Sequence, residues 1–289
     1  MTPKTELAIV LKSVTFRERD RIVTAITPNF GKISAVARNA IQSRRFGGAL
    51  ELFTASEWTL QEKPHSELWR LDGAIARRSF EGIRKDFARL ALAGIFSEIL
   101  LRIAPEQAPC EELFRLHSNA LAALEELPPS EGLELRLLNS YLTKILQWSG
   151  NQPILHQCRK CERSLIEFMD EPELCCTLQL AGWLCPSCKL RETPRSEAQE
   201  HARVTDSLFR LRPIAIHDFW NHLSLPIRKT PEASLSSIDE TGELFEFLEA
   251  LLIYHVPGMD RAVLKAMRFL PLPSTLKSRL LLQSTNTPS

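Results

Sequence analysis

With 36 Lys and Arg against 35 Asp and Glu, and 44% apolar residues, the 289-residue chain has the make-up of an ordinary soluble globular protein with room for two cores. Its seven cysteines are an odd number with four in metal-ligand spacing, which fits a reducing cytoplasm better than a secreted disulfide scaffold. The opening Met1-Thr2-Pro3-Lys4-Thr5-Glu6 lacks a signal-peptide layout, and no apolar run approaches the roughly 20 residues of a membrane helix; the densest, around Leu90–Leu101, is interrupted by Ser97 and Glu98.

The first 80 residues read as β structure. Leu7–Leu11 is a short apolar run with two β-branched residues, and Arg21–Thr27 is a second. Thr27-Pro28-Asn29-Phe30-Gly31 is a turn, because Pro fixes φ while Asn and Gly tolerate positive φ. Lys32–Arg38 then alternates polar and apolar residues, as a strand with one wet face and a hairpin partner before it. After a loop holding Gly47-Gly48, Leu50–Leu60 is expected as a fourth strand and Glu67–Ala76 as a fifth, a set that suits a small closed barrel better than a sandwich.

From Ile83 to Trp148 the spacing turns helical. Phe87, Leu90, Ala91, Gly94, Ile95, Glu98, Ile99 and Arg102 follow a 3–4 rhythm, and Pro105 and Pro109 separate them from a helix over Glu111–Glu126. A third helix opens after Pro128-Pro129, with Ser130 as N-cap, and places Leu133, Leu137, Leu138, Tyr141, Leu142, Ile145 and Trp148 on a core face. Gly150 and Pro153 close it.

Next come Cys158-Arg159-Lys160-Cys161 and Cys185-Pro186-Ser187-Cys188, two C-x-x-C knuckles 23 residues apart. Two residues between thiolates let one tight turn aim both sulfurs at one ion, so Cys158, Cys161, Cys185 and Cys188 read as the ligands of one tetrahedral, structural Zn2+. Phe168–Ala181 leaves room for two short strands, and Gly182-Trp183-Leu184 leads into the second knuckle, which is zinc-ribbon geometry. The metal module, at about 154–192, is an insertion in a helical region. His156, Cys175, Cys176 and His201 are alternative ligands in principle; Cys175-Cys176 reads as strand filling and Cys110 as a plain helix-start residue. Thr193–Arg203 is a polar linker, helices resume over Thr205–Leu211 and His217–His222, and Pro226–Ser237 is a loop. Asp239–His255 is a helix, a last one runs past Pro257-Gly258 to Phe269, and the tail from Ser284 is polar.

Charge is unevenly distributed: residues 1–80 hold 13 Lys and Arg against 8 Asp and Glu. No acidic residue lies between Asp20 and Glu51, where Arg21, Lys32, Arg38, Arg44 and Arg45 all fall. A basic strand and loop on a small barrel is how single-strand nucleic-acid binders meet phosphates. Phe16, Phe30, Phe46, Phe53, Trp58 and Trp69 are nearby; each reads first as barrel core and second as a stacking platform. The chain carries no H-E-x-x-H, Walker loop, G-x-S-x-G or G-x-G-x-x-G, so a binding protein is expected rather than an enzyme. The rival reading is a zinc-stapled adaptor that binds proteins only.

The runs Ala8–Ser13, Arg17–Val23 and Thr27–Arg38, the continuation Arg44–Phe53, the paired knuckles and the closing Lys265–Leu270 resemble the bacterial recombination mediator RecO family. The resemblance implies an α+β chain with an N-terminal OB-fold barrel over 1–80 and a helical domain over 81–289 carrying the zinc-ribbon-like element. It also implies binding of single- and double-stranded DNA, annealing of complementary strands, and action with RecR so that RecA replaces single-strand-binding protein, with RecF an indirect partner. Such a protein works in the cytoplasm at the nucleoid. Contact with the acidic-apolar tail of single-strand-binding protein would need a groove rimmed by cations, for which Arg102 and Arg115 are candidates. The family often has glycine soon after the third strand where this chain has Asn39; Asn tolerates left-handed backbone.

Overall fold

The computed structural model describes residues 3–63, 66–192, 208–259 and 264–270. They fall into two compact units: the chain up to Leu127 together with Leu264–Leu270, and the chain from Pro128 onward short of Leu264.

In the first unit β1 (Lys4–Phe16), β2 (Asp20–Thr27), β3 (Gly31–Ala37), β4 (Ala55–Gln61) and β5 (Leu68–Arg78) close into a barrel. The order is β1-β2-β3-β5-β4, with β4 returning to β1; only β3 and β5 pair in parallel. This is the five-stranded OB arrangement expected from the sequence. Its interior holds Val10, Val23, Ala25, Ile33, Ala35, Trp58, Leu60 and Leu71 among others. The fourth strand starts at Ala55 rather than Leu50: Gly47–Leu50 forms a 3-10 turn that buries Ala49 and Leu50, and Phe53 at φ 65 breaks the extended run.

The β1–β2 ladder contains a bulge between Val10 and Lys12. Val10 opposes Ala25 and Ser13 opposes Val23, so an even position faces the interior before the bulge and an odd one after it. The β2–β3 turn is held by Thr27, whose Oγ1 accepts from the Phe30 amide at 3.1 Å and donates to the Gly31 carbonyl at 3.0 Å. Gly31 sits at φ 61, and a Cβ there would lie 2.4 Å from the carbonyl oxygens of both Pro105 and Ala108. Only glycine fits.

The barrel is followed by α1 (Glu81–Arg84), α2 (Phe87–Ile103) and α3 (Glu111–Glu126), of which α2 packs on β1 and α3 on β2. Asp86 caps α2 by accepting from the Arg89 amide. The link between α2 and α3 is stitched to the hairpin by Lys32 N to Pro105 O and Cys110 N to Pro28 O, each 2.8 Å. The expected closing helix is a 3-10 turn, Lys265–Phe269, lying on α2 with Ala266 beside Gly94.

The second unit opens with α4 (Leu133–Trp148), whose N-cap is Gly132 at φ 83; Ser130 is not the cap. A short 3-10 turn (Leu165–Phe168) precedes β6 (Leu174–Thr177), β7 (Gly182–Leu184) and α5 (Pro186–Glu192). Leu208–Leu211 is a strand, β8, where a helix was expected: it pairs with β6 in the sheet β7-β6-β8. Pro213 restricts Arg212 to extended backbone, so a helix cannot run through from the four preceding residues. The remaining helices are α6 (Pro213–Ser224), α7 (Thr230–Ala233), inside the stretch expected to be loop, and α8 (Ile238–His255), opened by a Ser237–Glu240 capping box. They pack around α4, and the Asn139 side chain donates to the Thr241 carbonyl at 2.9 Å. The expected linker over Thr193–Arg203, His201 and the tail lie outside the described residues.

Candidate metal centre and nucleic-acid interface

The two knuckles are brought together by the ribbon strands. The Arg159 amide donates to the Trp183 carbonyl at 2.9 Å and the Ile154 amide to the Ala181 carbonyl at 2.9 Å, which ties the first knuckle beside β7. The approach is close enough that a Cβ on Gly182 would meet the Ile154 carbonyl oxygen at 2.6 Å. Trp183 is wholly buried, donates from Nε1 to the Leu155 carbonyl at 2.9 Å and stands edge-on to Phe168. On this frame the sulfurs of Cys158, Cys161, Cys185 and Cys188 all lie within 4.8 Å of one another, and together they could hold one metal ion. Cys161 is exposed and the other three are buried.

The cluster is tuned by its own loops. The Cys185 amide points at the Cys158 sulfur at 3.3 Å, and the Arg163 guanidinium donates to Cys185 Sγ at 3.3 Å. Hydrogen bonds from the Arg163 backbone and side chain hold the Cys161 thiol down at about 6, while hydrogen bonding with Cys185 pushes Cys188 up to about 12. Cys175 and Cys176 instead fill β6, where burial raises the Cys176 thiol, and His156 packs edge-on against Trp220. Among the described residues the four knuckle sulfurs alone make such a group.

The basic residues of the barrel separate into two sets. Lys32 is turned to α2: its Nζ donates to the Leu101 carbonyl at 2.7 Å and pairs with Glu106 at 3.3 Å, with only 15% of the side chain exposed. Arg21 pairs with Glu51 at 2.9 Å. Arg38, Arg44 and Arg45 are exposed in the loop after β3, and none pairs with a carboxylate among the described residues. Asn39 opens that loop at φ 56, the left-handed conformation expected of it, and its amide donates to Asp20 Oδ1 at 2.9 Å. The loop returns to the barrel where the Ala74 amide donates to the Arg45 carbonyl. Of the aromatics, Phe46, Phe53, Trp58 and Trp69 are buried, Phe30 packs on Trp69, and Phe16 stays 39% exposed.

Arg102 and Arg115 both lie in the barrel's unit. Arg102 is mostly buried and pairs with Glu98 at 2.7 Å; Arg115 is exposed and pairs with Glu111 at 2.6 Å. A polar cluster not foreseen from the sequence sits in the second unit. Ser140 Oγ lies 2.8 Å from His222 Nδ1 and 2.6 Å from Thr230 Oγ1, while Asp218 accepts from the Leu235 and Ser236 amides at 3.0 and 2.8 Å. All four side chains are buried, and desolvation holds His222 neutral with its pKa lowered to about 4. The cluster ties α4 to α6 and α7.

No helix among the described residues is long and apolar enough to cross a membrane. A family model described as recombination protein O N terminal matches residues 1–80, and one described as recombination protein O C terminal matches residues 84–205. The DNA repair protein RecO of Anaeromyxobacter dehalogenans (strain 2CP-C) is 38% identical over 154 residues, 53% of this chain and 59% of that protein. The protein of the same name from Desulfatibacillum aliphaticivorans is 35% identical over 191 residues, 65% of this chain and 72% of its own length. That from Anaeromyxobacter sp. (strain Fw109-5) is 34% identical over 197 residues, covering 67% and 74%. The chain thus spans about three-fifths of the first of these relatives and nearly three-quarters of the last. With the N-terminal and C-terminal family models matched in order within residues 1–205, and relatives 34–35% identical covered over 72–74% of their length, the chain belongs to the recombination protein O family.

Proposed function

We propose that this protein is a DNA repair and recombination mediator that binds single- and double-stranded DNA without reading sequence, anneals complementary strands and helps RecA load onto DNA covered by single-strand-binding protein. The observation that carries the reading is the β3 loop, where Arg38, Arg44 and Arg45 are exposed and, among the described residues, unpaired with carboxylates on a small β-barrel. Exposed guanidinium groups without a carboxylate partner meet phosphates and release counterions, and they neutralise either strand alike. Neutralising two strands on one surface lowers their mutual repulsion, which is the physical basis for annealing. Arg21 contributes at the margin, and Lys32 acts through the fold. RecR and single-strand-binding protein are the partners that family membership suggests, with Arg115 the more accessible of the two candidate rim residues.

The four-thiolate site is proposed to hold one structural Zn2+. The Cys161 and Cys185 sulfurs are 3.7 Å apart, close to the roughly 3.8 Å edge of a tetrahedron with Zn–S bonds of about 2.3 Å. Four protein ligands leave no position for water or substrate, so the ion supplies folding energy and no catalytic step is assigned. The protein would act in the cytoplasm, at the nucleoid.

The test is a binding titration over a salt range. The Arg44→Ala, Arg45→Ala double variant is expected to weaken binding to all sequences alike and to flatten the log–log salt slope by about 2. A wild-type protein without a linear salt slope, binding proteins only, favours the adaptor instead.

A further inference from the structure

The outer face of β1, β2 and β3 divides into two halves. In one register row stand Ile9, Ile26 and Lys32; Ile9 and Ile26 are fully buried yet outside the barrel interior, and Lys32 reaches α2. That half is covered by the helices of its own unit. Beyond the bulge the same face carries Lys12, Val14 and Phe16 on β1, with Val14 opposite Ile22 and Ile22 opposite Val36. This half is open along β1, where Val14 is 46% exposed and Phe16 39%, while Val36 on β3 is buried.

The surroundings of the open half combine apolar and cationic groups. The Ile41 amide donates to the Arg19 carbonyl at 3.2 Å, which brings a third exposed apolar side chain to the β1–β2 turn. The Arg17 guanidinium carbon lies 5.1 Å from the centre of the Phe16 ring. Lys12, Arg19 and Arg38 are exposed around the strip, and the acidic Asp20 on it already accepts from the Asn39 amide. An aromatic ring 39% exposed on a β-sheet, with the Arg17 guanidinium over it, Lys12, Arg19 and Arg38 around it, Glu18 and Asp20 as the acidic members and the Arg44–Arg45 loop beside it, matches the chemistry of an unpaired base attached to a phosphate backbone.

We propose that this strip is a base-stacking platform for single-stranded DNA, with Phe16 as the stacking side chain and Val14 and Ile41 as its apolar floor. The inference rests on the DNA-binding reading above and extends it: the arginines of the β3 loop take phosphates from either form of DNA, whereas the strip takes only bases whose faces are free. Duplex DNA hides those faces inside its own stack. Single strands thereby gain a contact at Phe16 that duplex DNA lacks, and the affinity common to both forms is set at the loop.

The experiment is fluorescence anisotropy with three labelled probes, an oligo-dT strand, an abasic strand of the same length and a duplex, on wild type, Phe16→Ala and Phe16→Trp. Phe16→Ala is expected to weaken oligo-dT binding about tenfold while the abasic strand and duplex move less than twofold and the salt slope stays unchanged. Phe16→Trp restores the affinity. A wild type that binds DNA with Phe16→Ala indistinguishable from it overturns the stacking platform and leaves the phosphate reading standing. An equal loss on the abasic strand also overturns it, since a base-free backbone cannot report stacking. A wild type that binds none of the probes overturns both readings together.

Discussion

The Arg163 guanidinium donates to the Cys185 sulfur at 3.3 Å, and its cation lies 4.8 Å over the Phe168 ring. Four thiolates around one divalent ion carry a net charge of −2, and Cys161 is exposed to water and competing ligands. A fixed guanidinium offsets part of that charge and occupies a sulfur lone pair that a proton or an oxidant would otherwise approach. With the proposed zinc bound, Arg163→Gln is therefore expected to release it to a colorimetric chelator about tenfold faster than wild type, with Arg163→Lys between the two. Equal release rates in all three proteins would show that the guanidinium serves the Phe168 contact alone.

Lys32 combines two bonds at the end of α2, one to the Leu101 carbonyl and one to Glu106. The last carbonyls of a helix have no partner within it and carry the negative end of its dipole, so a lysine ammonium there is well matched. Lys32→Met should cost about 1–2 kcal/mol of stability, read as a lower denaturant midpoint, and should leave DNA affinity almost unchanged. A large loss of affinity with stability intact would return Lys32 to the phosphate-binding set.

His117 on α3 is fully buried, and neither ring nitrogen finds a partner among the described residues. Desolvation lowers its pKa to about 3, from an ordinary value of 6.5 in the unfolded chain. The unfolded state then binds more protons than the folded one between those values, so stability rises with pH across the window. The contribution is complete above about pH 6.5 and is lost as pH falls toward 3, on the order of 3 kcal/mol by pH 4. His117→Leu removes the group and should flatten the acid limb of the stability curve below pH 6.5. An unchanged limb would place the acid sensitivity elsewhere.

The sequence carried different parts of the protein with unequal clarity. The gathering of the four knuckle sulfurs was legible, because two residues between thiolates is a local geometric requirement and local requirements survive in any fold. The Thr27–Gly31 turn was legible for the same reason. Strand β8 was not, since Leu208–Leu211 has no pattern of its own and is extended only because the β6 edge, some 30 residues earlier, offers it partners. Lys32 looked like a phosphate ligand because charge alone does not say whether its partner will be a nucleic acid or the end of a helix. Ser140 and His222 are 82 positions apart and met only through helix packing.

The bulge after Val10 settles which side of the sheet each later residue of β1 reaches. It acts as a reading frame for the strand. A strand of the same length paired in unbroken register from Val10 onward would send Val14 and Phe16 into a barrel already filled by Val23, Ala35 and Trp58 and turn Ser13 and Thr15 outward. Substitutions along this hairpin change one contact at a time, whereas closing the bulge at constant length would exchange the wet and dry sides of the whole strand end.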